Sequence, residues 1–416
     1  MRSFYYGWVV VGIVFFMLML STGTTVSAFG FFVLPVSEEF GLSRADTNTA
    51  IIILNLGASI CAPFLGRALD LLSPRHIMAG SAILFGVGMA TLGLSHSVWL
   101  SALVLALPLA IAVLGVGMST ATVLVTRWFA IQRGRAVAIA IMGSSLGGMV
   151  VAPMVGVMVE SLGWRPTLIA IGCVLGATIL VLSFFIRSAP REDEHEIAPD
   201  KAASMPAAAK AAAELGAPLK ATQILRMPQF WLIAVGGALS VGMGQSILVS
   251  MVPLSHFRGL GTGETATIVS AFGGAAIIGK LLLAWIGDRF DRANMLVAVF
   301  LGQALLNVAL IFAQSFAPLV VVSLGLGLCM GVGMPIMLSL LADRFGAASI
   351  GTASGLSMLF FAVLGASAIR FAGEVFDRTG GYDLLFVTYI FGHVFSAAML
   401  FYSAYAHRRA VAQPAT

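Results

Sequence analysis

Lys280 is the residue whose chemistry is hardest to explain by packing alone. It lies in the apolar stretch FGGAAIIGKLLLAWIGD, eight residues before Asp288. In a helix this spacing is about 12 Å, and a charge at that depth in hydrocarbon costs at least ~2.5–3.5 kcal/mol. We interpret Lys280 as a cation that attracts a small organic anion. The alternative is a structural lysine paired with a carboxylate or helix carbonyls, although the apolar stretches carry no Asp or Glu at similar depth.

Arg370 and Glu374 are a second charged pair within an apolar stretch. Four residues separate them, which makes them neighbours on a helix surface, and they lie about two turns from the predicted outer end. One interpretation is an ion pair that reaches toward the outer face. The other is an outer vestibule that guides anions.

Uncharged side chains complete the candidate substrate site. We favour Gln245, because alignment of the two halves described below places it opposite Ser27. Met118 and Met334 would line the site with flexible apolar side chains, which favours a substrate with one carboxylate and a hydrocarbon body. Each polar candidate has a structural alternative, a hydrogen bond between helices. The other candidates are Asn55, Ser119, Ser144, Ser246 and Ser357.

The sequence has no pattern typical of an enzyme or a metal site. The three cysteines lie in apolar runs without a CxxC pair, and the six histidines are scattered. There is no Walker loop and no nucleophile with a base and an orienting group. We therefore expect no catalytic residue, no cofactor and no metal ion.

The composition requires elements that lie in a lipid bilayer. Of the 416 residues, 59% are hydrophobic and 10% are charged, whereas a soluble domain is ~25% charged. A membrane helix needs ~20 mostly apolar residues. The sequence therefore predicts an all-α membrane protein with twelve spans, at residues 8–34, 47–69, 77–95, 100–126, 136–159, 167–187, 229–254, 265–287, 294–313, 317–341, 351–375 and 383–405.

The positions of Lys and Arg predict the orientation. With both termini in the cytoplasm, most of the 23 basic residues lie inside, as the positive-inside rule requires. Arg44, Arg165, Arg258 and Arg378 are left outside. The net charge of +5 is then a topology signal rather than a nucleic-acid-binding face. We expect a multi-pass protein of the plasma membrane, which is the inner membrane if the source is bacterial.

The chain divides into two halves of six spans. Residues 188–228 are charged, rich in Ala and punctuated by Pro, which is typical of a cytoplasmic linker. We predict an N-terminal bundle at 1–187, a C-terminal bundle at 229–406 and a cytoplasmic tail at 407–416.

The halves repeat each other. GRALDLLSPR follows span 2 and AWIGDRFDR follows span 8, so that Asp70 and Asp288 occupy matching positions, as do Pro35 and Pro253. Two pseudo-symmetric six-helix bundles of this kind form a site between the halves near the middle of the membrane.

These motifs resemble known transporter sequences. GRALDLLSPR resembles the loop 2–3 signature of the major facilitator superfamily, with Ser73 in place of its second glycine. Four further motifs resemble the monocarboxylate transporter family and its bacterial relatives, including oxalate–formate exchangers. They are YYGWVVVG, RWFAIQRGRAVAIAIMG, RMPQFW and AGEVFDRTGGY.

The resemblance implies the major facilitator fold and a role for Lys280. At that position the family usually carries an arginine that holds the substrate carboxylate, and lysine keeps the charge but not the bidentate fork. Animal members also have an aspartate one turn earlier and a lysine in span 1, where this chain has Ala276 and Val26.

We therefore predict a secondary transporter of small monocarboxylates. Its expected partners are the anion, protons and the bilayer, and we expect the protein to act as a monomer. The two bundles would rock about the site. Organic-anion exchange or export, and ligand sensing without flux, stay open as alternatives. Cytoplasmic contacts would latch the outward-open state through Asp70, Arg75, Arg127, Arg135, Asp288 and Arg292.

Overall fold

The computed structural model describes residues 5–129, 132–187, 219–286, 289–345 and 349–412. Within these ranges the chain is helical and contains no strand. It forms two compact units: unit 1 comprises Met1–Met205 with Gly261–Gly273, and unit 2 comprises Pro206–Leu260 with Gly274–Thr416.

Unit 1 contains ten helices among its described residues before position 188. Three of its spans are interrupted by short π-helical segments, at Gly23–Ser27, Leu105–Leu109 and Gly147–Val151. The helices are α1 (Gly7–Thr22), α2 (Phe29–Phe40), α3 (Arg44–Leu71), α4 (Pro74–Leu94), α5 (Val98–Val104), α6 (Ala110–Gly115), α7 (Met118–Trp128), α8 (Arg133–Leu146), α9 (Ala152–Leu162) and α10 (Trp164–Phe184).

Local sequence explains where these helices begin and end. Pro35 does not terminate α2, which continues until Gly41 adopts a left-handed conformation with φ of 62°. Such a conformation costs little for glycine. Two residues later the Ser43 side chain accepts a hydrogen bond from Asp46 N and caps α3. The first span is therefore longer than the predicted 8–34.

Unit 2 has longer, uninterrupted helices. Its spans 7, 10, 11 and 12 are single helices of 30 residues each. The helices are α11 (Ala221–Arg226), α12 (Pro228–Phe257), α13 (Thr262–Ile286), α14 (Arg292–Phe312), α15 (Phe316–Phe345), α16 (Ile350–Thr379) and α17 (Asp383–Ala412), with the boundary between the units falling within α13 after Gly273.

Twelve stretches of the described residues are long and apolar enough to cross a membrane. The prediction of an all-α chain with twelve spans is thereby confirmed. Of the predicted linker, residues 188–218 lie outside the described part, and residues 219–228 contain α11.

The burial pattern of α17 is the reverse of that of a helix in a soluble protein. Phe391, Phe395 and Tyr402 are 71%, 58% and 61% exposed, whereas His393 and Ser396 are at most 1% exposed. A helix surrounded by lipid presents apolar side chains outward and keeps polar groups inside the bundle. This pattern is that of a membrane helix.

Candidate functional site

Lys280 lies on the packed side of α13. It precedes Ile286, the last described residue of that helix, by six residues, or about 9 Å along the axis. Ile278, Leu281 and Trp285 form the exposed face of α13, whereas Lys280 is half-buried. From the 3.6-residue period, Lys280 points about 130° away from the centre of that face. The ammonium is therefore turned away from the surface that lipid would contact.

The helix that carries Lys280 is held against α15 at close range. A Cβ atom added to Gly279 would lie 2.5 Å from the carbonyl oxygen of Leu328, and Gly331 approaches the Ala276 carbonyl in the same way. Glycines at these positions let the two backbones meet. This contact holds the helix that carries Lys280 close to α15.

Gln245 lies on an open face of an otherwise buried helix. Residues 240–255 of α12 are buried except for Val241, Gln245 and Leu248, which are half-buried. Their spacing of four and three residues places them on one side of the helix. Gln245 is the polar member of this face.

Ser246 and Ser357 are enclosed within unit 2. Ser246 donates to the carbonyl of Ala368 at 3.0 Å, and Ser357 donates to the carbonyl of Ala353 at 2.8 Å. Both are fully buried. Their hydroxyls serve helix packing here, whereas Met334 is half-buried.

The predicted site residues of unit 1 are spread over spans 1, 2, 4 and 5. Ser27 closes the first π-helical segment and is 8% exposed, and Ser144 donates to the carbonyl of Ile141 at 2.8 Å. Asn55 is exposed on α3, and Met118, at the start of α7, is 48% exposed. The side chain of Ser119 lies outside the described residues.

Among the predicted latch residues of unit 1, the arginines contact backbone and aromatic groups. Arg127 donates to the carbonyl of Leu69 at 2.8 Å, near the end of α3. Arg75 lies over the ring of Phe184 at 5.1 Å, and Arg135 lies over the ring of Trp8 at 5.8 Å. The Asp70 side chain lies outside the described residues, so its pairing stays a prediction.

In unit 2, Arg292 pairs with an acid that sequence analysis did not single out. Its guanidinium forms an ion pair with Asp343 at the end of α15. Asp291 forms an ion pair with Arg408 at 3.4 Å and also caps α14. Asp288 lies outside the described residues. The internal repeat could have identified Asp343, because it follows span 10 as Arg127 follows span 4.

Arg370 and Glu374 are the predicted pair that the structure brings together. Arg370 Nη2 lies 2.9 Å from Glu374 Oε1, and Arg378 contacts the other oxygen at 3.1 Å. The Arg370 and Glu374 side chains are 40% and 34% exposed. Their role as an outer vestibule stays a prediction.

Arg165 connects three helix ends in unit 1. It pairs with Glu39 at 2.7 Å, stacks on Trp164 at 4.4 Å, and donates to the Gly93 and Ser95 carbonyls at the end of α4. From sequence, Arg165 is expected outside the membrane and is assigned no role. Its hydrogen bonds go to backbone carbonyls about 70 residues earlier in the chain, and no sequence motif indicates such contacts.

Arg258 performs a similar task in unit 2. It donates to the carbonyls of Leu310 and Ala313 at the end of α14. Burial lowers the pKa of the Arg258 guanidinium from its usual value, and the nearby Asp383 opposes that shift. Arg165 and Arg258 thus account for two of the four basic residues that the orientation leaves outside.

His393 is buried and hydrogen-bonded within unit 2, as expected for a packing residue. Its Nδ1 lies 2.8 Å from Ser240 Oγ. No group of three or more His, Cys, Asp or Glu side chains in the described part of the chain is arranged to hold a metal ion.

Comparison with known proteins identifies the family. The chain matches the family model described as Major Facilitator Superfamily over residues 11–369. Monocarboxylate transporter 12 of Rattus norvegicus is 25% identical, over 97% of this chain and 86% of its own. The uncharacterized MFS-type transporter YcxA of Bacillus subtilis is 22% identical, over 89% of this chain and 88% of its own.

Among solved structures, a bacterial homolog of the human lysosomal transporter Spinster, in an inward-facing and unoccupied conformation, has a similar fold. The TM-score is 0.64 at 14% identity, over 98% of this chain and 96% of that chain. The family and these relatives indicate a membrane transporter rather than an enzyme. With twelve spans, an all-helical fold and a family match over most of its length, this chain belongs to the major facilitator superfamily.

Proposed function

We propose that this transporter moves small monocarboxylates of the lactate and pyruvate type, with Lys280 as the group that binds the carboxylate. The observation that carries the proposal is a half-buried lysine on the packed face of α13, about 9 Å from the helix end. Opposite charge within a few ångströms stabilises an ammonium that is partly removed from water. A mobile anion supplies that charge during transport.

The other candidate residues favour a substrate with one charge and an apolar body. Gln245, on the open face of α12, provides a neutral hydrogen-bonding group. Met334 is half-buried and Met118 is exposed, and methionines adapt to hydrocarbon of varied shape. The name of the rat relative, a monocarboxylate transporter, supports the same substrate class.

Transport proceeds by rocking of the two bundles, and uptake is coupled to protons. Ala276 stands where animal relatives of this type carry an aspartate, so a carboxylate substrate brings the proton and Lys280 is neutral when the site is empty. Exchange of one anion for another needs no titrating side chain, and Ala276 is equally compatible with it. The protein acts as a monomer in the plasma membrane, which is the inner membrane if the source is bacterial, with both termini in the cytoplasm.

Uptake of radiolabelled carboxylates into proteoliposomes tests this proposal. Wild type, Lys280→Ala and Lys280→Gln are compared at two external pH values, with the exposed Lys220→Ala as a matched control. We expect saturable lactate or pyruvate uptake that acid outside increases, that both Lys280 variants lose, and that Lys220→Ala retains.

The other outcomes separate the alternatives. If uptake requires an anion loaded inside the proteoliposomes, the protein is an exchanger. If the protein binds carboxylate without transporting it, the protein is a sensor. Proton-coupled uptake that persists in Lys280→Gln would refute the role of Lys280. Tight oxalate transport without competition by monocarboxylates would refute the substrate class.

A further inference from the structure

Ser240 joins three helices of unit 2 through buried side chains. Its hydroxyl donates to Gln303 Oε1 on α14 at 2.8 Å and lies 2.8 Å from His393 Nδ1 on α17. A hydroxyl has a single proton, so His393 donates from Nδ1 to the Ser240 oxygen. The three side chains are at most 3% exposed.

Ser246 makes a second connection between α12 and α17. The Tyr389 hydroxyl lies 2.8 Å from both Ser246 Oγ and the carbonyl oxygen of Ala368 on α16, and Ser246 Oγ lies 3.0 Å from the same carbonyl. Ser246 and Tyr389 are 0% and 2% exposed. Two levels of α12 are therefore hydrogen-bonded to α17, six residues apart.

These two serines and Gln245 point in three different directions around α12. From the helical period, Gln245 points about 140° from Ser240 and about 100° from Ser246. The direction of Gln245 is thus set by which residues of α12 face α17.

Glycines form part of the buried surface of α12. Gly237, Gly242 and Gly244 lie against Met337, Gly365 and Met330, beside larger buried side chains of the same helix. The buried hydrogen bonds add a directional constraint to this packing. A turn of one residue, about 100°, would leave the hydroxyls and the His393 donor buried without partners, which proteins avoid.

We propose that Tyr389 and His393 are positioning residues for transport: through Ser246 and Ser240 they fix the rotation of α12 and so hold Gln245 toward the bound anion. The inference rests on the proposed function, because Gln245 matters to it as a substrate contact. Neither α17 residue touches substrate in this account.

Tyr389→Phe and Ser246→Ala test the inference with minimal change in shape. We expect each to raise the KM for radiolabelled pyruvate about fivefold, since one buried hydrogen bond is lost, while kcat stays within about twofold. Ser255→Ala is the control, because Ser255 is a buried serine of α12 that donates to Met251 of its own helix at 2.8 Å. It should leave both constants unchanged.

A double-mutant cycle with Gln245→Ala separates positioning from general destabilisation. If Tyr389 acts through Gln245, Tyr389→Phe adds no further increase in KM when Gln245 is already alanine. An equal increase in both backgrounds would overturn the inference. His393→Asn, which keeps a donor near Nδ1, should retain the wild-type KM, whereas His393→Leu should raise it; equal effects would also contradict positioning.

A measurement without substrate distinguishes this inference from the proposed function. Gln245→Cys is placed in a chain whose native cysteines are replaced, and its labelling by a small methanethiosulfonate is followed. We expect Tyr389→Phe to slow labelling severalfold. If labelling is unchanged while pyruvate uptake is saturable, the positioning role of Tyr389 is refuted and the proposed function stands. Absence of saturable uptake in wild type refutes the proposed function, and with it the substrate role of Gln245.

Discussion

The two units pack corresponding spans by different means. In unit 1, α4 and α10 meet through backbone at Gly86 and Gly172, where a Cβ added to Gly172 would lie 2.6 Å from the Gly86 carbonyl oxygen. In unit 2, the corresponding helices α14 and α17 are joined through Gln303, Ser240 and His393. The contrast is between close backbone contact and buried side-chain hydrogen bonds.

The internal repeat allows the two contacts to be compared residue by residue. With the halves aligned on Pro35 and Pro253, the residue of unit 1 that corresponds to Gln303 is the fully buried Phe85. Glycine contacts tolerate small shifts of one helix on another, whereas hydrogen bonds between side chains specify one setting. Unit 1 also contains π-helical segments in three spans, which the described helices of unit 2 lack. We infer that the packing of α14 and α17 is set more precisely than that of α4 and α10. Unit 2, which contains Lys280, also has close glycine contacts elsewhere, at Gly279 and Gly331.

The largest effect should come from filling a backbone contact of unit 1. The Cβ of a Gly143→Ala variant would overlap the carbonyl of Phe15, so α1 and α8 must separate. We expect a loss of about 2–3 kcal/mol, seen as a marked drop in Tm in detergent. Gly12→Ala, where nothing lies within 4 Å, should keep the wild-type Tm. Equal Tm for the two variants would break the comparison.

A smaller loss is expected when a hydrogen-bonded level of unit 2 is removed. Ser240→Ala leaves Gln303 Oε1 and the His393 donor without their partner, at a cost of about 1–2 kcal/mol. Ser357→Ala is the control, since that hydroxyl bonds to its own helix. In the same assay Ser240→Ala should have a lower Tm than Ser357→Ala. Equal Tm values would show that hydrogen bonds between helices do not stabilise unit 2 in the way proposed.

The two carbonyl-capping arginines sharpen the comparison further. Lysine cannot make the several directed bonds of a guanidinium. Arg165 combines an ion pair with Glu39, a stack on Trp164 and two carbonyls. Arg258 donates to two carbonyls and lies over the ring of Phe386 at 5.8 Å. We expect Arg165→Lys to lower Tm more than Arg258→Lys, and both less than Ser240→Ala. The reverse order for the two arginines would be inconsistent with these contacts.

The smallest effect concerns the surface pair of α16. Glu374→Gln removes the partner of Arg370 and Arg378, but exposed pairs at this spacing contribute only about 0.3–0.5 kcal/mol. We expect Tm within error of wild type. A large loss would assign Glu374 a buried role that its exposure does not indicate.

The fold was more predictable from sequence than the site. Span number followed from apolar length, because lipid requires each segment to satisfy its own backbone bonds. The π-helical segments left no such signal: Gly23 and Pro108 occur in runs that read as continuous spans. Close backbone contacts occur at all three segments, between Gly23 and Gly147 and between Ala106 and Gly57, and composition does not encode such contacts.

Single side chains were predicted with mixed outcome for a similar reason. Lys280 and the Arg370–Glu374 pair were identifiable because charge is rare in apolar runs and because four residues are one helical turn. The partners of Ser240 and Ser246 come from α14, α16 and α17, at separations of 63 to 153 residues. Contacts at such distances in sequence depend on how the helices pack together.

Equilibrium binding of radiolabelled pyruvate to purified protein tests the central claim most directly. Wild type, Lys280→Gln and the Lys220→Ala control are compared, with oxalate as competitor. The account predicts saturable binding that Lys280→Gln weakens at least about tenfold, the equivalent of 1.4 kcal/mol, that Lys220→Ala leaves unchanged, and that oxalate displaces poorly. Wild-type affinity in Lys280→Gln would contradict it.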